Sequence, residues 1–157
     1  DLHSFPTRRS SDLAIFETNV EGIFACGNVL HVHDLVDYVS EEAANAGKNA
    51  AIYVKDRYGK DVKKAENIIE IKATDGARYT VPSSIDLDKM ADKLTVRFRV
   101  GAVFKDSYIS VYFNDERIMH RKKQVMAPGE MEQIILQKKK LVDFDGLKTI
   151  TVKIEAE

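Results

Sequence analysis

The hydrophobic pattern changes its period within the chain, and this change constrains the fold more than any other feature. Between residues 33 and 58, apolar or small residues recur every three or four positions, at Val36, Val39, Ala43, Ala46, Ala50 and Tyr53. This spacing predicts one long helix with a single apolar stripe. From residue 67 onward the period becomes two, which predicts β-strands. We therefore expect an α+β chain in which a helical part at 14–58, a polar linker at 59–66 and a β-domain at 67–157 follow one another.

The predicted β-domain contains six clear alternating segments, separated by turn signals. The segments are Ile69-Ile71, Tyr79-Val81, Leu94-Val96-Phe98-Val100, Ile109-Val111-Phe113, Ile134-Leu136 and Ile150-Val152-Ile154. The turn signals are Asp75-Gly76, Asn114-Asp115, Pro128-Gly129 and Asp145-Gly146. Six or seven short strands without a convincing helix predict an antiparallel β-sandwich of immunoglobulin or fibronectin type III architecture. Because the chain has no cysteine pair and no Trp, only the architecture is predicted.

The composition excludes several classes of partner. Lys and Arg (24) nearly balance Asp and Glu (25), so we expect neither a nucleic-acid partner nor a membrane partner. The longest apolar stretch, residues 20–30, contains Glu21 and is shorter than the roughly 20 residues that a spanning helix needs. The single cysteine, Cys26, cannot form an internal disulfide, and a cytoplasmic location is expected.

The first thirteen residues differ from the rest of the chain because they have no hydrophobic period and no helix-capping pattern. Residues 4–12 match, in order, the translation of nine consecutive codons of a common sequencing-library adapter. We therefore exclude residues 1–13 from fold reasoning and expect the native sequence to begin near Ala14, inside a domain. The alternative is a disordered tail rich in Ser and Arg.

A short apolar stretch at residues 22–26 ends at Gly27 and Asn28, which predicts a buried strand followed by a turn. The helix is expected to begin just after it, near His33 or Asp34. Gly27 has no Cβ, so the main chain can come close to another group there. Asn28 offers a short polar side chain that can hydrogen-bond a ligand.

The string GIFACGNVLHVHDLVDYVSEEAANAGKNAAIYV resembles the C-terminal part of the two-dinucleotide-fold flavoprotein oxidoreductases, which are similar to the pyridine nucleotide-disulfide oxidoreductases. It is most similar to a bacterial branch of NAD(P)/FAD-dependent oxidoreductases associated with glycerol-3-phosphate oxidation. The family pattern T-x-x-x-G-[IV]-[FY]-A-x-G-D ends in a Gly-Asp pair that contacts the flavin. The matching residues here are Thr18, Gly22, Ile23, Phe24, Ala25 and Gly27, and Asn28 stands in the Asp position.

This resemblance implies that the segment before the linker is one strand and the long helix of an FAD-binding Rossmann-type domain. It implies FAD contacts from Gly27 and Asn28, and from the N–H groups of Leu35 and Val36 at the helix start. No G-x-G-x-x-G and no CxxC occur in the sequence, so the flavin site would be incomplete in this chain. We expect the C-terminal part of an FAD-dependent oxidoreductase that is inactive alone and contributes no catalytic residue. The alternative is that residues 67–157 form a binding or subunit-interaction module for a protein partner, without catalysis.

Three further features have competing interpretations. His31, His33 and Asp34 form an H-x-H-D cluster whose residue types suit a metal, but no second cluster supports one. We expect a helix-capping or flavin-edge role for this cluster and no metal ligand. Cys26 is expected to be a small buried hydrophobe without catalytic function. The basic runs at 121–123 and 138–140 are expected on solvated outer faces of strands.

Overall fold

The structure, a computed structural model, describes residues 16–18, 20–56, 58–59 and 67–156. The proposed adapter-derived tail and most of the predicted linker lie outside these residues. The described chain is α+β, with one long helix packed beside two β-sheets. No helix in the described ranges is both long enough and apolar enough to cross a membrane.

The predicted long helix is confirmed as α1, Val36–Asp56, although it begins slightly later than expected. The predicted strand at residues 22–26 is wrong. The chain makes a tight turn in which Gly22 has a φ of 78°, and this leaves one isolated antiparallel bridge between Glu17 and Phe24. A strand needs a row of hydrogen bonds to a neighbouring strand, and the described residues supply only this one bridge. A short 3-10 turn, Gly27–Val29, follows.

The remaining chain forms eight strands and one short helix. The strands are β1 (Ile68–Ala73), β2 (Ala77–Val81), β3 (Ser84–Asp86), β4 (Lys93–Val100), β5 (Phe104–Phe113), β6 (Glu116–Met126), β7 (Glu132–Gln137) and β8 (Thr149–Glu155). The short helix α2, Lys138–Val142, lies between β7 and β8. One sheet has the order β3-β1-β8-β5-β6 and the other has the order β2-β4-β7.

The expectation of an antiparallel sheet domain is correct in part. All six predicted strand segments lie in strands, but β1 pairs with β8 in parallel, so the larger sheet is mixed. The basic run at 138–140 lies in α2 and not on a strand, because this single helical turn buries Leu141 against the core. The run at 121–123 does lie on β6, whose residues are largely exposed.

The core consists of the inward-facing residues of both sheets. Its centre is formed by alternate apolar residues of β4, β5 and β8, namely Val96, Phe98, Val100, Ile109, Val111, Phe113, Ile150, Val152 and Ile154. Since successive side chains of a strand point to opposite faces, the intervening residues of β4 point away from this core. Two of them, Arg97 and Arg99, bond to α1 and to the turn that precedes it. Strand β4 therefore connects the sheets to the segment that carries the sequence motif.

Candidate functional site

The carboxylate of Glu42 is the centre of a buried polar cluster. Glu42 lies on α1 and is only 2% exposed. Its Oε2 accepts a hydrogen bond from the Gly27 N–H at 3.1 Å and lies 2.8 Å from His33 Nε2. Its Oε1 lies 3.3 Å from His31 Nε2. One carboxylate thus joins the helix, the 3-10 turn and both histidines of the H-x-H pair.

The charge state of Glu42 follows from these contacts. Burial raises the pKa of Glu42, but hydrogen bonds with His31, the Gly27 N–H and His33 favour the ionised form, and the pKa is lowered overall. Because an ionised carboxylate only accepts hydrogen bonds, each imidazole must carry a proton on Nε2 to bond with it. The Nδ1 atoms of both rings are buried and have no hydrogen-bond partner among the described residues.

Arg97 closes the cluster from the β4 side. Its Nη2 lies 3.0 Å from Glu41 Oε2, and its Nη1 lies 3.5 Å from Glu42 Oε1. The guanidinium also lies over the Tyr38 ring, 4.6 Å from the ring centroid.

Arg99 fixes the chain just before α1. Its Nη2 donates to the Val32 carbonyl at 2.8 Å and to Asp34 Oδ1 at 2.5 Å. Burial lowers the pKa of Arg99, but the ion pair with Asp34 outweighs this and raises it. The other carboxylate oxygen of Asp34 accepts from the Met131 N–H. Asp34 therefore bonds to the β-domain, whereas the sequence predicted a helix-capping or flavin-edge role for the H-x-H-D cluster.

The four residues predicted to contact a flavin lie in one region, near the start of α1. Gly27 has a φ of 67°, and a Cβ there would lie 3.1 Å from Val39 Cγ1, so a glycine lets this turn pack on the helix. Asn28 is exposed, and its Oδ1 accepts from the His33 N–H at 3.3 Å. Leu35 and Val36 are 53% and 75% exposed. The first N–H groups of a helix have no acceptor within the helix, so they are available to an anion.

Glu42, Arg97 and Arg99 were not predicted from the sequence as residues of this region. Glu42 had a recognisable signal, because it lies one turn before Ala46 and so interrupts the apolar stripe with a carboxylate. The H-x-H spacing was a second signal, since alternate residues of an extended segment share a side. Arg97 and Arg99 could not be identified from the sequence, because their acceptors on α1 and just before it are more than fifty residues away. Cys26, expected to be buried, is a free thiol of intermediate exposure.

Another group of residues has the composition of a catalytic triad but not its geometry. Ser110 Oγ lies 2.7 Å from His120 Nδ1, and Glu155 Oε2 lies 3.8 Å from the same nitrogen. A triad needs the nucleophile and the carboxylate on opposite nitrogens of the imidazole. Ser110 is also fully buried. This arrangement therefore stabilises the outer face of the β5 and β8 pair and does not support acyl transfer.

The surroundings of Glu155 predict a pH effect on stability. Hydrogen bonding with the Ser110 hydroxyl is the main cause that lowers the pKa of Glu155 in the folded chain. A lowered folded-state pKa stabilises the fold above the unfolded-state pKa, and this contribution is lost as the pH falls through the folded-state value. We expect the free energy of unfolding of Glu155→Gln to fall less steeply with decreasing pH than that of the parent protein. The measurement is the urea midpoint of unfolding of the parent and of Glu155→Gln at a series of pH values from neutral to acid. If the two midpoints fall in parallel as the pH decreases, the prediction is contradicted.

Comparison with protein-family profiles, curated proteins and solved structures finds no match to this chain.

Proposed function

We propose that this chain is the C-terminal part of an FAD-dependent oxidoreductase, in which residues 22–56 form one wall of the flavin site and the β-domain is an appended module. The observation that best supports the proposal is the amount of apolar surface left uncovered around the motif. Of fifteen exposed large hydrophobic residues in the described ranges, nine lie between residues 20 and 58, namely Val20, Ile23, Val29, Val32, Leu35, Val36, Ile52, Val54 and Tyr58.

This distribution favours a missing covering layer over a solvated helix. Only Glu42 and Ala46 are buried among the 21 residues of α1. A helix in a globular protein normally buries its apolar stripe, yet Val36, the first residue of the predicted stripe, is 75% exposed. Large exposed apolar surfaces in soluble proteins usually belong to interaction sites. A dinucleotide-binding domain with its flavin is the covering layer that the sequence resemblance implies.

The electrostatics near the start of α1 suit a flavin. The first N–H groups of a helix generally lack an intrahelical acceptor and, together with the positive end of the helix dipole, they favour an anion. The pyrimidine edge of reduced flavin carries negative charge. Asp34, the nearest carboxylate before the helix, is paired with Arg99 and therefore opposes such an anion less. Asn28 adds an exposed amide that can hydrogen-bond the ribityl or phosphate region.

The two parts of the chain have different tasks under this proposal. Bound flavin would supply two-electron transfer between a nicotinamide or small organic donor and an acceptor, and the protein would position the reactants. Residues Gly27, Asn28, Leu35 and Val36 would hold the cofactor. Arg97 and Arg99 of the β-domain would keep the flavin-facing turn in place, because they bond to Glu42, Asp34 and the Val32 carbonyl.

Replacing Asn28 in the full-length enzyme tests the proposed contact. Asn28→Ala removes a polar partner of FAD at a cost of roughly 0.5–3 kcal/mol, which weakens FAD binding up to about a hundredfold. Asn28→Asp should be well tolerated, because Asp keeps the oxygen that accepts from the His33 N–H and is the residue that the family has there. The measurement is FAD retained through gel filtration, with circular dichroism confirming that α1 is intact. Equal retention by Asn28→Ala and the parent would contradict the contact.

A second candidate function is a partner-binding module in the β-domain. A cavity of about 110 Å³ lies between β5, β6 and β7, and its lining includes Val111, Phe113, Ile118, Ile134 and Ile135. Ile135 is 60% exposed, and β6 and β7 are both edge strands. An apolar recess beside two free strand edges suits contact with another protein chain. This module is compatible with the flavoprotein proposal.

A further inference from the structure

We propose that His31, His33 and Glu42 form a binding site for a divalent transition metal of the zinc type. The inference rests on the geometry of these three side chains and is independent of the proposed flavin function. Their ligand atoms all lie within 4.8 Å of one another. The two histidines come from the segment before α1, and the carboxylate comes from the second turn of the helix.

The donor set and the distances suit zinc. Imidazole nitrogen and carboxylate oxygen are zinc ligands at about 2.0–2.2 Å, and tetrahedral geometry places such ligands roughly 3.3 Å apart. His31 Nε2 lies 3.3 Å from Glu42 Oε1 and His33 Nε2 lies 2.8 Å from Glu42 Oε2, so each imidazole faces its own oxygen of the carboxylate at a separation of about this size. The ring centroids of His31 and His33 lie 4.0 Å apart, so both rings are already on the same side of the carboxylate.

Burial prepares the ligands for a cation. The side chains of His31, His33 and Glu42 are 4%, 1% and 2% exposed, so water competes little for their ligand atoms. Arg97 Nη1 lies 3.5 Å from Glu42 Oε1, a long contact, so this guanidinium competes weakly with a metal ion for the carboxylate.

The surroundings define what kind of site this would be. Three protein ligands leave one coordination position for water or another ligand, as in catalytic zinc sites. A groove of about 320 Å³ between α1 and β4 has Glu42 and Arg97 in its lining and reaches the carboxylate side of the cluster. Zinc binding requires each Nε2 to lose its proton, so the remaining ring proton lies on Nδ1. The Nδ1 atoms of both histidines have no acceptor among the described residues, so the outer-shell hydrogen bonds that tighten zinc sites are missing. We therefore expect micromolar rather than tighter affinity.

Calorimetric titration of the metal-stripped 157-residue chain with zinc chloride tests the site. His3 lies in the tail outside the described residues, and it is replaced with Ala in every protein so that it cannot contribute to zinc binding. We expect stoichiometric binding, and His33→Ala should weaken it by more than the roughly 10–100-fold that loss of an outer-shell partner costs. His120→Ala is the matched control, because His120 is a histidine on β6 that takes no part in the cluster, and its binding should be unchanged.

A second measurement needs no substitution within the cluster. Side-chain nitrogen NMR of the same chain should show zinc-dependent shifts of the Nε2 resonances of His31 and His33, with those of His120 unmoved. This result keeps the test decisive if His33→Ala fails to fold. The proposal is overturned if zinc does not bind stoichiometrically, if His33→Ala binds zinc as tightly as the parent, or if the His31 and His33 resonances do not respond to saturating zinc.

Discussion

Replacing Glu42 with Ala is expected to release α1 and the turn before it from the β-domain. The carboxylate accepts from the Gly27 N–H, bonds both histidines and faces Arg97, whose side chain is 8% exposed. Glu42→Ala leaves the Gly27 N–H and both imidazole Nε2 atoms without their acceptor, and each buried polar group left unsatisfied costs about 1–3 kcal/mol. Since few other residues of α1 are buried, the helix has little else to hold it in place.

Hydrogen exchange measured in the presence of EDTA checks this expectation. In Glu42→Ala the amides of α1 should lose their protection, while those of β4, β5 and β8 keep theirs. The neighbouring residue supplies the control. Glu41 also pairs with Arg97, but its side chain is 59% exposed, so Glu41→Ala should cost at most about 1 kcal/mol. Similar protection of α1 in both variants would show that the buried carboxylate does not hold the helix.

The isolated chain is expected to bind FAD negligibly and to have no oxidoreductase activity. Under the proposed function it supplies only one wall of the site, from Gly27, Asn28 and the helix start. Most contacts to the diphosphate and the isoalloxazine would come from the glycine-rich turn of a dinucleotide fold, and no G-x-G-x-x-G occurs in the sequence. One short wall with a few polar groups is not enough to offset the entropy lost on binding.

Fluorescence quenching of FAD during titration with the purified chain measures this affinity. We expect no saturation at protein concentrations well above the micromolar range. A stoichiometric complex with a Kd of about 1 μM, equivalent to roughly 8 kcal/mol of binding free energy, would contradict the proposal that the chain is an incomplete site. Asn28→Ala is a suitable control for any weak signal, because specific quenching should depend on this exposed amide.

The regular elements were largely predictable because their local patterns agree with their surroundings. Val96, Phe98 and Val100 alternate with polar residues and all face the core, so the alternating hydrophobic pattern predicted β4 correctly. The turn signals were correct for a local reason: Asp75 and Asn114 have positive φ values, which Asp and Asn adopt more readily than most residues. Strand β3 was missed because it has only three residues and no alternation that a pattern can reveal.

Features that depend on distant partners were not predictable. The apolar stretch at 22–26 looks like a strand, but strand formation requires a neighbour, and here only Phe24 is bridged. The parallel pairing of β1 with β8 joins segments about eighty residues apart, and no local signal specifies it. The cluster around Glu42 is of the same kind. Its histidines were noted in the sequence. Arg97 lies on β4, where the alternating pattern identifies the residues that face the core but does not show what the outward-facing residues contact.

The central claim is that this chain belongs to a larger flavoprotein, and one measurement tests it most directly. The genomic sequence upstream of the codon for Ala14 is determined, and the complete open reading frame is expressed and purified. We predict an in-frame dinucleotide-binding region with G-x-G-x-x-G and a protein that carries stoichiometric FAD, seen as flavin absorbance that remains through gel filtration. A full-length protein that lacks this motif and binds no flavin when FAD is supplied would contradict the claim.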